Sequence, residues 1–289
     1  MDLTEECTLT LCGIEFPKCR FGVFDIPEYL RTSFDGVMGW RNLRDNVIEI
    51  GHDGGVWRVL PKLPADLSGW RRWKLVPDEP MLVFECGNGA GPVRVAIDTG
   101  SPLGVALKPE RWRDWRAAHA RRPATLEAAY SPGEGLIVYE VSRAKEIELG
   151  GLRLADVPVT ECWHRASQRY DAVLGMFALT RLRVIIDGKG GALYTRIIDR
   201  PAATYDYNRL GAEFVPADEA KGDDLIARVS EGTPAYDAGV RDGDRLLKID
   251  DADVTQWRTD RRVLPRRFLT RPTGGDGIEA HAETRRRGL

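Results

Sequence analysis

The stretch Val93–Gly104 reads VRVAIDTGSPLG. An alternating apolar strand runs into Asp98, and Thr99, Gly100 and Ser101 follow at once. An aspartate at that place is either a turn residue that ends the strand or an acid–base group. The second role needs a partner. Hydrolysis without a metal ion takes one carboxylate to remove a proton from water and a second to donate one to the bond being broken. Two carboxylates in one site cannot both ionise, because like charges raise one pKa.

Other chemistries find little support. The five cysteines (Cys7, Cys12, Cys19, Cys86, Cys162) are odd in number and form no CxxC pair, so they read as buried thiols. The four histidines (His52, His119, His164, His281) lack ligand spacing, and neither a metal site nor a cofactor is expected. A net charge of −2 over 289 residues gives no general pull toward nucleic acid. The basic stretches RRVLPRRFLTR and TRRRGL read as solvated faces. No apolar run approaches the ~20 residues needed to span a bilayer. The acidic start MDLTEECTLTLCG does not read as an export signal, and the compartment is left open. The length suggests about two domains.

The elements that must position Asp98 are announced by an internal repeat. DGVMGWRNLRDNVIEIGHDGGV from Asp35 aligns without a gap with DAVLGMFALTRLRVIIDGKGGA from Asp171, at an offset of 136. Upstream, Leu9–Phe16 aligns with Ile147–Leu154 at an offset of 138. Each copy reads as strand, glycine turn, strand, apolar pair before glycine, short helix and a hairpin through Gly-Gly. The counterpart of Asp98 would lie about forty residues before Met1, so the chain is expected to begin inside a repeat. Asp25 and Asp35 do not replace it. Asp25 has no Thr-Gly after it, and Asp35 matches Asp171 rather than Asp98.

The DTGS segment, the hairpin-like Ala128–Val141 and the later Val173-Leu174-Gly175 together resemble the retropepsin-like aspartic proteases over roughly Met81–Arg196. The resemblance implies a β-barrel-like lobe in which Asp98 is one member of a catalytic dyad. Thr99 would lock two loops together across the lobe interface. Gly100 would donate its N–H to the carboxylate, and Ser101 would hydrogen-bond its outer oxygen. Ala129–Tyr139 would be a flap closing over bound peptide, with Tyr130 either a flap residue or a buried aromatic at its base. The second aspartate would come from a segment preceding Met1 or from a second copy in a homodimer. If it has been lost, the lobe is a non-catalytic scaffold.

The C-terminal third resembles a bacterial-type PDZ domain, through GTPAYDAGV (Gly232–Val240) and RDGDRLLKIDDADV (Arg241–Val254). The resemblance implies a groove that takes a peptide as an added strand. The loop Arg209-Leu210-Gly211-Ala212 would hold the peptide's C-terminal carboxylate. Leu210, Ala212 and Phe214 either line its pocket or belong to the core. TQWRTDRRVLPRRFLT would supply the groove helix, and GIEAHAE a last strand.

The expected chain is therefore mainly β, a retropepsin-like lobe followed by a PDZ β-sandwich with short helices. Residues 1–62 form part of a first lobe, 63–80 a Pro/Trp-rich linker, 81–200 the DTG lobe and 205–289 the PDZ domain. The expected activity is aspartic endopeptidase hydrolysis of a peptide or protein substrate. The alternative is an inactive peptide-binding scaffold.

Overall fold

The structure, a computed structural model, describes residues 2–11, 13–23, 38–51, 57–87, 91–131, 134–198, 205–249, 251–259 and 280–283. The chain is mainly β. It divides into two units that do not follow chain order. The first gathers residues 1–26, 32–113 and 144–203. The second gathers 27–31, 114–143 and 204–289. Asp25 and Asp35 lie outside the described residues, as do most of the expected groove helix and the tail after Glu283.

In the first unit the strands follow the spatial order Leu152–Glu161, Val105–Leu107, Ala172–Leu174, Val93–Ile97, Leu82–Cys86, Arg71–Leu75, Ala192–Ile197, Leu182–Asp187, Val47–Ile50 and Trp57–Leu60. The strand leading to Asp98 is not half-exposed, as its alternation suggests. Val95, Ala96 and Ile97 are all buried, because this strand and its neighbour Ala172–Leu174 are covered on both faces. Val83, Ala96, Ala106, Cys162, Tyr170 and Val173 form one buried cluster there.

The stretch expected as a linker, 63–80, contains the strand Arg71–Leu75. That strand pairs with Ala192–Ile197 on one side and Leu82–Cys86 on the other. Trp73 is buried, donates from Nε1 to Thr195 Oγ1 at 2.8 Å and carries the Arg71 guanidinium over its ring. Prolines flanking the strand give the segment a linker's composition, while Trp73 and Leu75 point inward at a strand's period of two.

The repeat is visible in three dimensions. Helices Trp40–Leu43 and Met176–Leu179 begin 136 positions apart, each after an extended glycine cap, Gly39 and Gly175. The hairpins that follow share one register. Ile50 faces Trp57 as Ile186 faces Leu193, and Val47 faces Leu60 as Arg183 faces Arg196. The two copies also pair with each other. Val47–Ile50 runs antiparallel to Leu182–Asp187, with Glu49 opposite its own counterpart Ile185. Ile48 lies opposite Ile186 and Ile50 opposite Val184, so the pairing maps onto itself under exchange of the copies. This is the local two-fold symmetry of an isologous contact, built within one chain.

Ile48 and Ile186 are both buried to 1 % exposure. Either replaced by alanine should cost about 2–5 kcal/mol in urea unfolding. Because they face each other across the local axis, the double variant should fall short of the sum of the singles by about 0.5 kcal/mol or more. Strict additivity would remove the contact.

Candidate functional site

Asp98 sits where Val93–Ile97 ends, half-buried. Its position is set by Ala172–Leu174, which is inserted between the two strands flanking the DTG loop. That strand pairs in parallel with Val95–Ile97 and antiparallel with Val105–Leu107. The Asp98 N–H donates to Leu174 O at 2.9 Å, continuing the ladder into the loop. The return of the chain at Gly175 closes it. Gly175 N–H donates to Gly104 O (2.9 Å), Met176 N–H to Ser101 O (2.8 Å) and Phe177 N–H to Leu103 O (3.0 Å). A Cβ on Gly175 would lie 2.4 Å from Leu103 O and 2.9 Å from Ser101 O, so this close approach requires glycine.

Within the loop, the Gly100 N–H donates to Asp98 Oδ1 at 3.0 Å. Ser101 is arranged differently from the expectation. Its N–H donates to the main-chain Asp98 O (3.3 Å), while its Oγ accepts the N–H of Leu103 (3.4 Å). Thr99 is half-buried beside Asp98. The structure thus brings Asp98, Gly100 and Ser101 into one hydrogen-bonded turn, with the Ser101 hydroxyl stabilising the turn.

A polar frame anchors the start of the inserted strand. Asp171 Oδ2 accepts the N–H of Arg94 (2.8 Å), and Oδ1 accepts Arg111 Nε (2.9 Å). Next to it, the fully buried Tyr170 donates its hydroxyl to Glu79 Oε2 at 2.9 Å. Glu79 is also paired with Arg94 and Arg169. Burial pushes the Glu79 carboxyl up, but Tyr170, Arg94 and Arg169 outweigh it and hold the group below its ordinary value. Asp171, which the repeat singled out, therefore orients the strand behind the DTG loop through its own ion pair.

The expected flap is a hairpin longer than Ala129–Tyr139. Ala124–Ser131 pairs with the first part of Gly135–Leu149, from Ala124 opposite Ser142 to Ser131 opposite Gly135. Tyr130 stands opposite Leu136 near its tip. Residues 124–143 belong to the second unit and share it with the strands expected for the PDZ domain. There Ala212–Pro216, Leu225–Val229, Arg245–Ile249 and Ala252–Asp253 lie side by side, with Ala280–Glu283 also on Arg245–Ile249. The small-residue helix is Pro234–Asp237. Ala212 and Phe214 belong to the buried core of this unit, and Leu210 packs against it. These residues are therefore core side chains as well as neighbours of the loop.

A cavity of about 460 Å³ in this unit is lined by residues that include Leu126, Leu136, Val138, Val215, Arg228 and Asp242. The Leu136 N–H donates to Glu219 Oε1 at 3.0 Å, and Tyr205 donates to Glu127 Oε2 at 2.6 Å. Burial and the adjacent Glu127 carboxylate push the Tyr205 hydroxyl far up, so it remains a donor.

Gly211 takes a left-handed φ of +72°, and a Cβ there would lie 2.2 Å from Thr233 Cβ. The loop is held by a residue that sequence reasoning passed over. Asn208 is 6 % exposed, and its Oδ1 accepts the N–H groups of Leu210 (3.0 Å) and Gly211 (3.3 Å). The available signal was local: asparagine readily bonds backbone two or three residues on. Among the described residues, no group of three or more His, Cys, Asp or Glu is placed to hold a metal ion. No described helix is long and apolar enough to cross a membrane.

Within this second unit, residues 225–263 match the family model of the PDZ domain. The chain therefore carries a domain of a class that binds peptides or proteins. No curated protein matches the chain.

Two glycines are predicted to be irreplaceable. Gly175→Ala should destabilise the first unit by about 1–3 kcal/mol through overpacking against Leu103 O and Ser101 O. Gly211→Ala should cost the second unit about 1–2 kcal/mol from the left-handed backbone alone, before any clash with Thr233. Two-probe urea unfolding, one probe in each unit, checks both, and wild-type midpoints would contradict the packing described.

Proposed function

We propose that the chain is the DTG-bearing part of an aspartic-type endopeptidase whose PDZ domain recruits peptide or protein partners. The observation that carries this reading is the seating of Asp98. Its carboxylate projects from a loop closed on both sides by main-chain hydrogen bonds, with the Gly100 N–H on one oxygen. Such a loop suits a group that must hold one orientation while it exchanges protons.

The reaction would proceed by acid–base hydrolysis. The ionised carboxylate takes a proton from water as the water attacks the carbonyl carbon of the scissile bond. The protonated partner gives its proton to the carbonyl oxygen; as the tetrahedral species collapses, the proton taken from water passes to the leaving nitrogen and the partner takes one back from a hydroxyl, releasing an amine and a carboxylic acid. The residues 1–289 hold one Asp-Thr-Gly. The local two-fold supports a partner carboxylate on a second lobe over one from an identical chain. The outer edge of Leu182–Asp187, where a second copy would pair by symmetry, is occupied by Val47–Ile50.

A binding scaffold is the second reading. The Ser101 hydroxyl favours it, because that group serves Leu103 rather than the carboxylate. Asp98→Asn separates the two. Under the protease reading, cleavage of a denatured protein substrate should fall roughly 10²–10⁴-fold while the fold and peptide binding are retained. Unchanged turnover in the variant refutes the role of Asp98. Peptide binding without turnover in either form, measured in an assembly that supplies the partner carboxylate, favours the scaffold.

A further inference from the structure

The local two-fold that relates the copies of the repeat also relates their neighbours. Exchange of the copies carries Leu182–Asp187 onto Val47–Ile50 and Ala192–Ile197 onto Trp57–Leu60. The outer edge of Ala192–Ile197 is taken by Arg71–Leu75, with Leu193 opposite Trp73 and Thr195 opposite Arg71. The equivalent edge, that of Trp57–Leu60, is the end of the sheet.

The side chains register the difference. Leu193 is 0 % and Thr195 4 % exposed, whereas their counterparts Trp57 and Val59 are 39 % and 38 % exposed. Trp57 and Val59 stand opposite Ile50 and Ile48, which are buried, so an apolar face runs out into solvent on its last strand. The main chain agrees. Ile198 N–H bonds Arg181 O and Leu75 N–H bonds Gly191 O, and the alternation of an antiparallel ladder then turns the N–H and C=O groups of Leu193 and Thr195 toward Arg71–Leu75. The shared register turns those of Trp57 and Val59 outward in the same way, and among the described residues nothing bonds them there. Such a row of open groups is a template for a further strand.

We propose that the outer edge of Trp57–Leu60 is the docking site for a second lobe of the same fold, which enters as a strand equivalent to Arg71–Leu75. The inference rests on the endopeptidase reading and names where the lobe with the partner carboxylate attaches. In this chain Arg71–Leu75, Leu82–Cys86 and Val93–Ile97 lie side by side and lead to Asp98. The same three strands repeated about the local axis would carry a second such turn to the symmetric position. A second copy of this chain is not the occupant, because both edges of its Arg71–Leu75 are already bonded. The entering strand should be apolar opposite Trp57, as Trp73 is opposite Leu193.

The test uses the full chain and a fluorescein-labelled peptide of residues 69–77, GWRRWKLVP, amidated at its end. This segment already fills the equivalent place in the other copy. Fluorescence anisotropy should show saturable binding, unchanged by Asp98→Asn. The Trp73 amide of the peptide faces the edge and the Arg72 amide faces away. N-methylation at Trp73 should therefore weaken binding about tenfold or more, and N-methylation at Arg72 should leave it within about twofold. A peptide carrying Trp73→Asp should fail likewise. In the chain, Val59→Pro removes an outward N–H without touching the pairing to Val47–Ile50 and should abolish binding. The methylated peptides leave the chain unaltered, so the result does not depend on that variant folding. Absence of saturable binding, or equal effects of the two methyl groups, overturns the inference and leaves Asp98 to its own assay. A dimer in sedimentation equilibrium that Val59→Pro dissociates gives the edge to a second copy and also overturns it. Edge binding together with unchanged turnover in Asp98→Asn refutes the role of Asp98 alone.

Discussion

Three residues, Ala172, Val173 and Leu174, are the constraint around which the Asp98 site is built. Their strand is bonded on both edges and covered on both faces, so only apolar side chains fit, and all three are buried. The chain must then turn back beneath the DTG loop. The three N–H groups of Gly175, Met176 and Phe177 tie that turn to the carbonyls of Gly104, Ser101 and Leu103. The carboxylate of Asp98 is therefore oriented by main chain, which does not change rotamer. The side chains of Asp171, Tyr170 and Glu79 secure the inserted strand from its far end.

A second constraint is symmetry. The two copies of the repeat meet at equivalent positions, so any change in one strand is felt by its twin. Burying Ile48 against Ile186, and Ile50 beside Val184, uses β-branched side chains that suit a pleated surface. Glu49, opposite Ile185, breaks the equivalence and takes Arg183 as its partner. A symmetric frame with Glu49 paired asymmetrically to Arg183 and Arg58 holds the copies in a single register.

In the second unit the hairpin and the PDZ strands share polar anchors. Thr125, Glu127 and Leu136 reach Asn208, Tyr205 and Glu219 respectively. Sequence order obscures this arrangement, because the two segments are about eighty residues apart. The coupling through Asn208 makes the loop and the hairpin one hydrogen-bonded body.

Much of this was legible from residues alone. The Asp-Thr-Gly turn and the repeat are local patterns, and local backbone preference expresses them wherever they stand. Even the register of the duplicated hairpins follows from ungapped spacing. What the residues did not reveal depends on partners distant in sequence. Arg71–Leu75 has the look of a linker until two neighbouring strands claim its hydrogen bonds. Val95, Ala96 and Ile97 read as alternating until a strand nearly eighty residues on joins them and the sheet is covered on both faces. The Ser101 hydroxyl and the Asn208 amide each had several possible bonds. Only the packed backbone decided which donors stood within 3.5 Å. Sequence thus determined the turns and the pattern of duplication, and tertiary structure decided the hydrogen-bond partners, because a side chain bonds what the fold places beside it.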